Sequence, residues 1–259
     1  MENLITKNDK IFVAGHKGMV GSAIVRKLKN SGYFNGKYDG QLLVQDRNEL
    51  DLTNSEDVDN WFKLNKPNVV ILAAAKVGGI QANDNYPFDF ISANLKIQQN
   101  IIENSWKYSA KRLLFLGSSC IYPKFANQPI REEELLTGPL EPTNEWYAIA
   151  KISGIKLCQS LRKQYGFDAL SLMPTNLYGP GDNFDKESSH VFAAFIKRFV
   201  EAKRNGLNKV TCWGTGSPYR EFLHVDDLAN ACLFVLEKWD LNSEVAPKDD
   251  FGNLLEYLN

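Results

Sequence analysis

The stretch that most narrows the choice of fold lies near the N-terminus. Ile11-Phe12-Val13-Ala14 is a short apolar run, read as a buried strand. It runs into Gly15-His16-Lys17-Gly18-Met19-Val20-Gly21, and the residues from Ser22 to Leu28 carry helical periodicity. Strand, glycine turn and helix in that order make the opening unit of an open α/β sheet. Glycine permits the tight turn, a close backbone approach by a diphosphate, and tight packing of helix on strand. The helix N-terminus adds free N–H groups for phosphate. The spacing is G-x-x-G-x-x-G. Such a turn alone is equally a structural device; the strand and helix around it favour a nucleotide site.

The rest of the chain repeats the alternation. Apolar runs at 42–44, 69–75, 113–116 and 169–173 read as strands, and 54–66, 88–108 and the region of Tyr147 read as helices. The pattern predicts a doubly wound parallel sheet over residues 1–180, a dinucleotide-binding domain, with a smaller lobe over 181–259. In that lobe a helix is expected at 192–203 and a short strand at 210–214. A second helix is expected at 228–239, started by Asp226 and Asp227. Residues 122–144 read as a loop over the strand ends, and 240–259 as polar and irregular.

Composition removes other classes. Charged residues make up 24% and the formal net charge is -1, so no basic field points to nucleic acid. The longest apolar run, Val69 to Ala75, is far too short to cross a bilayer, and residues 1–10 have no apolar leader core. The four cysteines are scattered without a C-x-x-C pair and there are only three histidines. A reducing, cytoplasmic setting without a metal site is expected.

Three further features carry chemistry. Tyr147-Ala-Ile-Ala-Lys151 places a phenol and an ammonium four residues apart, on one helix face. A cation beside a phenol favours the phenolate and makes the hydroxyl a better proton donor near neutral pH. Gly117-Ser118-Ser119-Cys120 follows a buried strand, at the end where open α/β sheets bind ligands. Gln45-Asp46-Arg47 follows the second strand, where an acid holds a ribose 2′-hydroxyl and a base accepts a 2′-phosphate. With Lys17 as a second cation, the reading leans to NADP without settling it.

Glycine turn, serine after the fourth strand and Y-x-x-x-K together resemble the extended short-chain dehydrogenase/reductase family. Within it the chain looks like the GDP-L-fucose synthases, bifunctional epimerase–reductases of GDP-4-keto-6-deoxy-D-mannose. The stretches that carry the likeness are Gly15 to Ala23, Ala73 to Ile80, Leu116 to Pro123, Leu140 to Glu145, Pro174 to Pro180 and Arg220 to Asp227. The resemblance spans residues 10 to about 236. Chains of that family continue several dozen residues further, so a fragment or a shortened protein with a partial lobe is expected.

The resemblance implies NADP(H) as cofactor, a GDP-sugar as substrate, and a homodimer built from helices 88–108 and 146–165. It implies Ser118, Cys120, Tyr147, Lys151 and His190 as catalytic residues. Cofactor contacts would come from Gly15 to Gly21 (His16, Lys17, Gly18, Met19 and Val20 between them), Arg47, Leu116, Gly117, Ser118, Ser119, Lys151, Pro174, Thr175, Asn176, Leu177 and His190. Arg198, Trp213 and Arg220 would meet the substrate. Two other readings stay open: a sister nucleotide-sugar epimerase or dehydratase, and a nucleotide-binding module without turnover.

Overall fold

In a computed structural model the described residues are 3–185, 189–212, 214–217, 219–250 and 252–259. Strands β1 (Lys10–Ala14), β2 (Gln41–Leu43), β3 (Val69–Leu72), β4 (Arg112–Leu116), β5 (Ala169–Leu172) and β8 (Tyr257–Leu258) form one sheet in the order β2-β1-β3-β4-β5-β8. Every pairing in it is parallel. Strand residues alternate between two cores. Ile11, Val13, Ile71, Leu114 and Leu170 join helices α1 (Met19–Asn30) and α7 (Val225–Lys238) on one face. Phe12, Ala14, Val70, Leu113 and Phe115 join α2 (Ser55–Asn65), α4 (Pro87–Lys107) and α5 (Glu145–Tyr165) on the other. Both faces are covered, which is why these strands read as unbroken apolar runs.

The chain leaves β1 toward β2 on one side and returns to β3 on the other. That reversal opens a crevice at the C-terminal ends of β1 and β3, the place where such sheets bind ligands. Local signals agree. Asn54 caps α2 by accepting from the Glu56 and Asp57 N–H groups, and Gly166 ends α5 at φ 68°.

Four expectations change. The strand expected over 69–75 stops at Leu72, because the Asn94 side chain holds the backbone of Lys76 by both its N–H and its carbonyl. Residues beyond Gly79 form an additional helix, α3 (Ile80–Asn85). No strand forms over the described residues of 210–214; β6 (Asn176–Tyr178) pairs instead with β7 (Phe222–His224). The tail expected to be irregular supplies β8, paired with β5 through Ser171–Tyr257 and Leu172–Leu258.

Elements from both sides of residue 180 share the main sheet and its core. Buried Arg112 donates to Asp168 at 2.5 Å and to the carbonyls of Val235 and Trp239, binding the end of α7 to the start of β5. So α7 and β8, both beyond 180, pack with the main sheet. The segment that stands away from it holds β6, β7 and α6 (Val191–Arg204), joined through Phe192 against Tyr178 and Phe222 at 4.9 and 5.2 Å. Among the described residues no helix is long and apolar enough to cross a membrane.

Candidate active site

The glycine turn is dictated by crowding at two of its three glycines. Gly15 has φ +88°, and a Cβ there would sit 2.8 Å from the Ala74 backbone. A Cβ on Gly21 would sit 2.1 Å from the Gly15 carbonyl oxygen. Gly18 differs: an added Cβ meets only the Gly15 oxygen, at 3.4 Å. The protein's own packing leaves space at Gly18, in front of a helix end with no side-chain cap and no acid in its first turn. Open space and uncapped N–H groups together fit a diphosphate. Gly21→Ala is therefore expected to cost about 3 kcal/mol and roughly 6–12 °C in Tm. Gly18→Ala costs about 1 kcal/mol, the price of alanine at a helix cap. Paired thermal melts check the contrast.

Asp46, at the end of the second strand's path, faces this turn. It pairs with Lys17 at 2.5 Å and with His16 Nε2 at 3.4 Å. His16 Nδ1 is buried with no hydrogen-bond partner among the described residues. Arg47 is exposed beside it and helps hold the Asp51 carboxyl below its usual range, after the Thr53 hydrogen bonds that dominate that shift. Asp46 and Lys17 thus neutralise each other, and the residues offer both an acid and cations to a ribose.

Beyond β4 the backbone turns sharply. Gly117 donates to the Leu172 carbonyl at 2.8 Å and Ser119 to that of Pro174 at 3.1 Å, closing the ends of β4 and β5 together. Ser118 caps a single turn over Ser119–Ile121, its hydroxyl accepting from the Cys120 N–H at 3.4 Å. Enclosure around the Cys120 sulfur pushes its pKa up to about 11, while the Ser118 hydroxyl and the Lys151 charge pull it down.

Helix α5 passes over this turn and brings Tyr147 and Lys151 to it. Lys151 is buried, 4% exposed; its ammonium donates to the Leu116 carbonyl at 2.6 Å and lies over the rings of Phe115 and Tyr147, at 4.8 and 5.6 Å from their centroids. The expectation that the Lys151 ammonium leaves Tyr147 with a lowered pKa changes in its net direction, which burial sets. The cation sits against the ring face, and burial raises the Tyr147 hydroxyl well above the usual phenol range, with the Cys120 charge adding to the rise. Burial also depresses Lys151 to about 8, against a smaller opposing pull from Cys120.

Ser118, Cys120, Tyr147 and Lys151 therefore meet at one spot, beside the crevice. Thr175 Oγ1 and Asn176 Nδ2 both donate to the Glu221 carbonyl, at 3.2 and 3.0 Å, and Leu177 pairs with Leu223, so Pro174 to Leu177 continue from β5 into the outlying segment. His190 caps α6 and is exposed; Arg198 lies on the same helix. Arg220 is exposed and donates to the Tyr219 carbonyl. None of the contacts described for the Tyr147 cluster reaches these three. Trp213 lies outside the described residues. Sequence reading missed Asn94 and Gln98. Gln98, 2% exposed, donates to the Ala150 carbonyl at 2.5 Å and ties α4 to α5. Their signal was two amides four residues apart on the helix face that also carries Phe90, Ile101 and Ile102.

Comparison with known proteins agrees on the family. Residues 11–245 match the profile of the NAD dependent epimerase/dehydratase family. GDP-L-fucose synthase 1 of Arabidopsis thaliana is 61% identical over 239 residues, 92% of this chain and 72% of the relative. GDP-L-fucose synthase of Escherichia coli is 54% identical, over 88% of this chain and 69% of the relative. A GDP-L-fucose synthetase structure from Naegleria fowleri bound to NADP superposes with a TM-score of 0.80 at 30% identity, covering 90% of this chain and 74% of that one. The chain belongs to the NAD dependent epimerase/dehydratase family, on the branch of the GDP-L-fucose synthases.

Proposed function

We propose that the protein converts GDP-4-keto-6-deoxy-D-mannose to GDP-L-fucose by epimerisation at C3 and C5 and NADPH-dependent reduction at C4. The observation that carries the reading is the meeting of Ser118, Cys120, Tyr147 and Lys151 at the end of β4, beside the crevice of a dinucleotide fold. The glycine turn and helix α1 hold the cofactor diphosphate, and Lys17 and Arg47 take its 2′-phosphate. Leu116 to Ser119, Pro174 to Leu177, Lys151 and His190 line the nicotinamide side. Bound there, NADPH supplies the hydride.

The 4-keto group acidifies the protons on its neighbouring carbons. Cys120 and His190 exchange those protons from opposite faces. Enclosure favours the thiol form of Cys120, so it acts as base from its thiolate fraction, formed by loss of the thiol proton to water and stabilised by the Ser118 hydroxyl and the Lys151 ammonium, the two groups that pull its pKa down. The enolate oxygen takes hydrogen bonds from Ser118 and Tyr147. In the reduction Tyr147 gives its proton to the C4 oxygen, and the Lys151 ammonium stabilises the phenolate left behind. Arg198 and Arg220 neutralise the sugar-nucleotide diphosphate, and Trp213 meets the base or sugar.

The segment with β6, α6 and β7 serves as the substrate lobe. Outward apolar side chains on α4 and α5, among them Phe88 at 75% and Trp146 at 40% exposure, support a homodimer through those helices. Four free cysteines support a reducing, cytoplasmic setting.

The test is NADPH oxidation with the keto sugar, NADH run beside it, and the product identified. Cofactor binding without turnover contradicts the reading and favours a binding module. Cys120→Ser is expected to abolish solvent deuterium uptake at C3 and C5 while leaving NADPH binding intact; proton NMR of the sugar shows it.

A further inference from the structure

Phe115 lies in β4, 1% exposed, with its ring between α5 and the sheet. Two neighbours on α5 treat it unusually. The Lys151 ammonium stands over its face at 4.8 Å from the centroid. One helical turn on, Gly154 lies so close that an added Cβ would fall 2.5 Å from the ring's Cζ and 2.7 Å from Cε1. The same Cβ would meet Gln98 Oε1 at 2.9 Å. The ring is thus clamped: glycine on one side clears the space that the ring needs, and the ring offers its face to the cation.

The ammonium needs that face. An ammonium has three N–H donors, and among the described residues Lys151 makes one hydrogen bond, to the Leu116 carbonyl. Its other charged or titratable neighbours are Cys120, from the turn after β4, and Tyr147 on its own helix. From helix α4 the neutral Gln98 amide donates to the Ala150 carbonyl. In a site this dry, an aromatic face is a strong partner for a cation.

We infer that Phe115 is a positioning residue: its ring, admitted by Gly154, is the seat that keeps the Lys151 ammonium charged and in place over the Tyr147 ring. The inference rests on the reaction proposed above for its catalytic consequence, but not for its physical content. Without the ring the ammonium keeps its burial and loses its π partner, so it gives up its proton more readily. Burial already brings Lys151 to about 8. Loss of the ring lowers that further, by about one unit, a tenfold loss of proton affinity.

The experiment titrates lysine side chains labelled with 13C at Cε by NMR, with the Lys151 signal assigned by its absence in Lys151→Met. Two variants are compared with the parent: Phe115→Leu, and 3,5-difluorophenylalanine at position 115, which keeps the ring's shape and drains charge from its face. The Lys151 midpoint is expected to fall by about one unit in both, and the basic limb of kcat/KM to move with it. An unmoved midpoint in both overturns the inference. So does a shift in Phe115→Leu alone, because shape and not the ring's charge would then be at work. If Phe115→Leu fails to fold, the fluorinated ring still decides. A shifted midpoint in a protein that shows no turnover upholds the seat and refutes the proposed reaction instead.

Discussion

Tyr147→Phe is expected to cut reductive turnover about a thousandfold, in the middle of the range for loss of a positioned proton donor. The substitution removes one oxygen and keeps the ring that lies beneath the Lys151 ammonium. Fold and cofactor affinity should therefore persist, and KM should change only a few-fold. Proton exchange at C3 and C5 should slow less than reduction, because Ser118 still reaches the enolate oxygen. Single-turnover oxidation of NADPH, with a fluorescence titration of NADPH binding, separates these effects. A loss of binding equal to the loss of rate would mean that the hydroxyl holds ligand and does not donate a proton.

Lys151→Met carries the second large effect, and its two consequences oppose one another. Turnover should fall at least a hundredfold, since nothing then stabilises the phenolate. Stability should rise. Burial lowers the folded-state pKa from 10.5 to about 8, so the folded protein holds this charge at a penalty of roughly 3 kcal/mol near neutral pH. The sign follows from proton counting. Between about 8 and 10.5 the unfolded chain binds a proton there and the folded chain does not, so stability in the parent climbs with pH across that window. The variant should melt higher at pH 7 and lose the climb. Denaturation at pH 7 and 9.5 checks both.

Much of the scaffold was legible because it rests on short-range rules. Apolar runs flanked by helical periodicity gave β1, β3, β4 and β5, and the glycine turn gave the connection from β1 to α1. Contacts between distant residues were not legible. The limit of β3 depends on Asn94 reaching Lys76 across 18 residues. Strand β8 depends on an edge offered by β5, and its own two residues carry no periodicity. The pairing of β6 with β7 spans more than forty residues and displaced the strand expected near 210.

The grouping of four candidate residues was legible, their electrostatics less so. Four of its residues meet as the motifs suggested. Spacing of four along a helix placed the lysine near the tyrosine, but it could not say that the ammonium would turn to the Leu116 carbonyl and the Phe115 ring. Nor could it show that enclosure outweighs the nearby cation at Cys120, or that burial raises the Tyr147 hydroxyl. Those outcomes depend on how dry the cleft is, which is a property of the packed chain.

The most direct measurement follows the unmodified protein converting GDP-4-keto-6-deoxy-D-mannose in deuterated water with NADPH, by proton NMR. One cleft doing both reactions predicts GDP-L-fucose with deuterium at C3 and C5, hydrogen from NADPH at C4, and one NADPH consumed per sugar. A reduced sugar that keeps hydrogen at C3 and C5, or no sugar reduced at all, would contradict it.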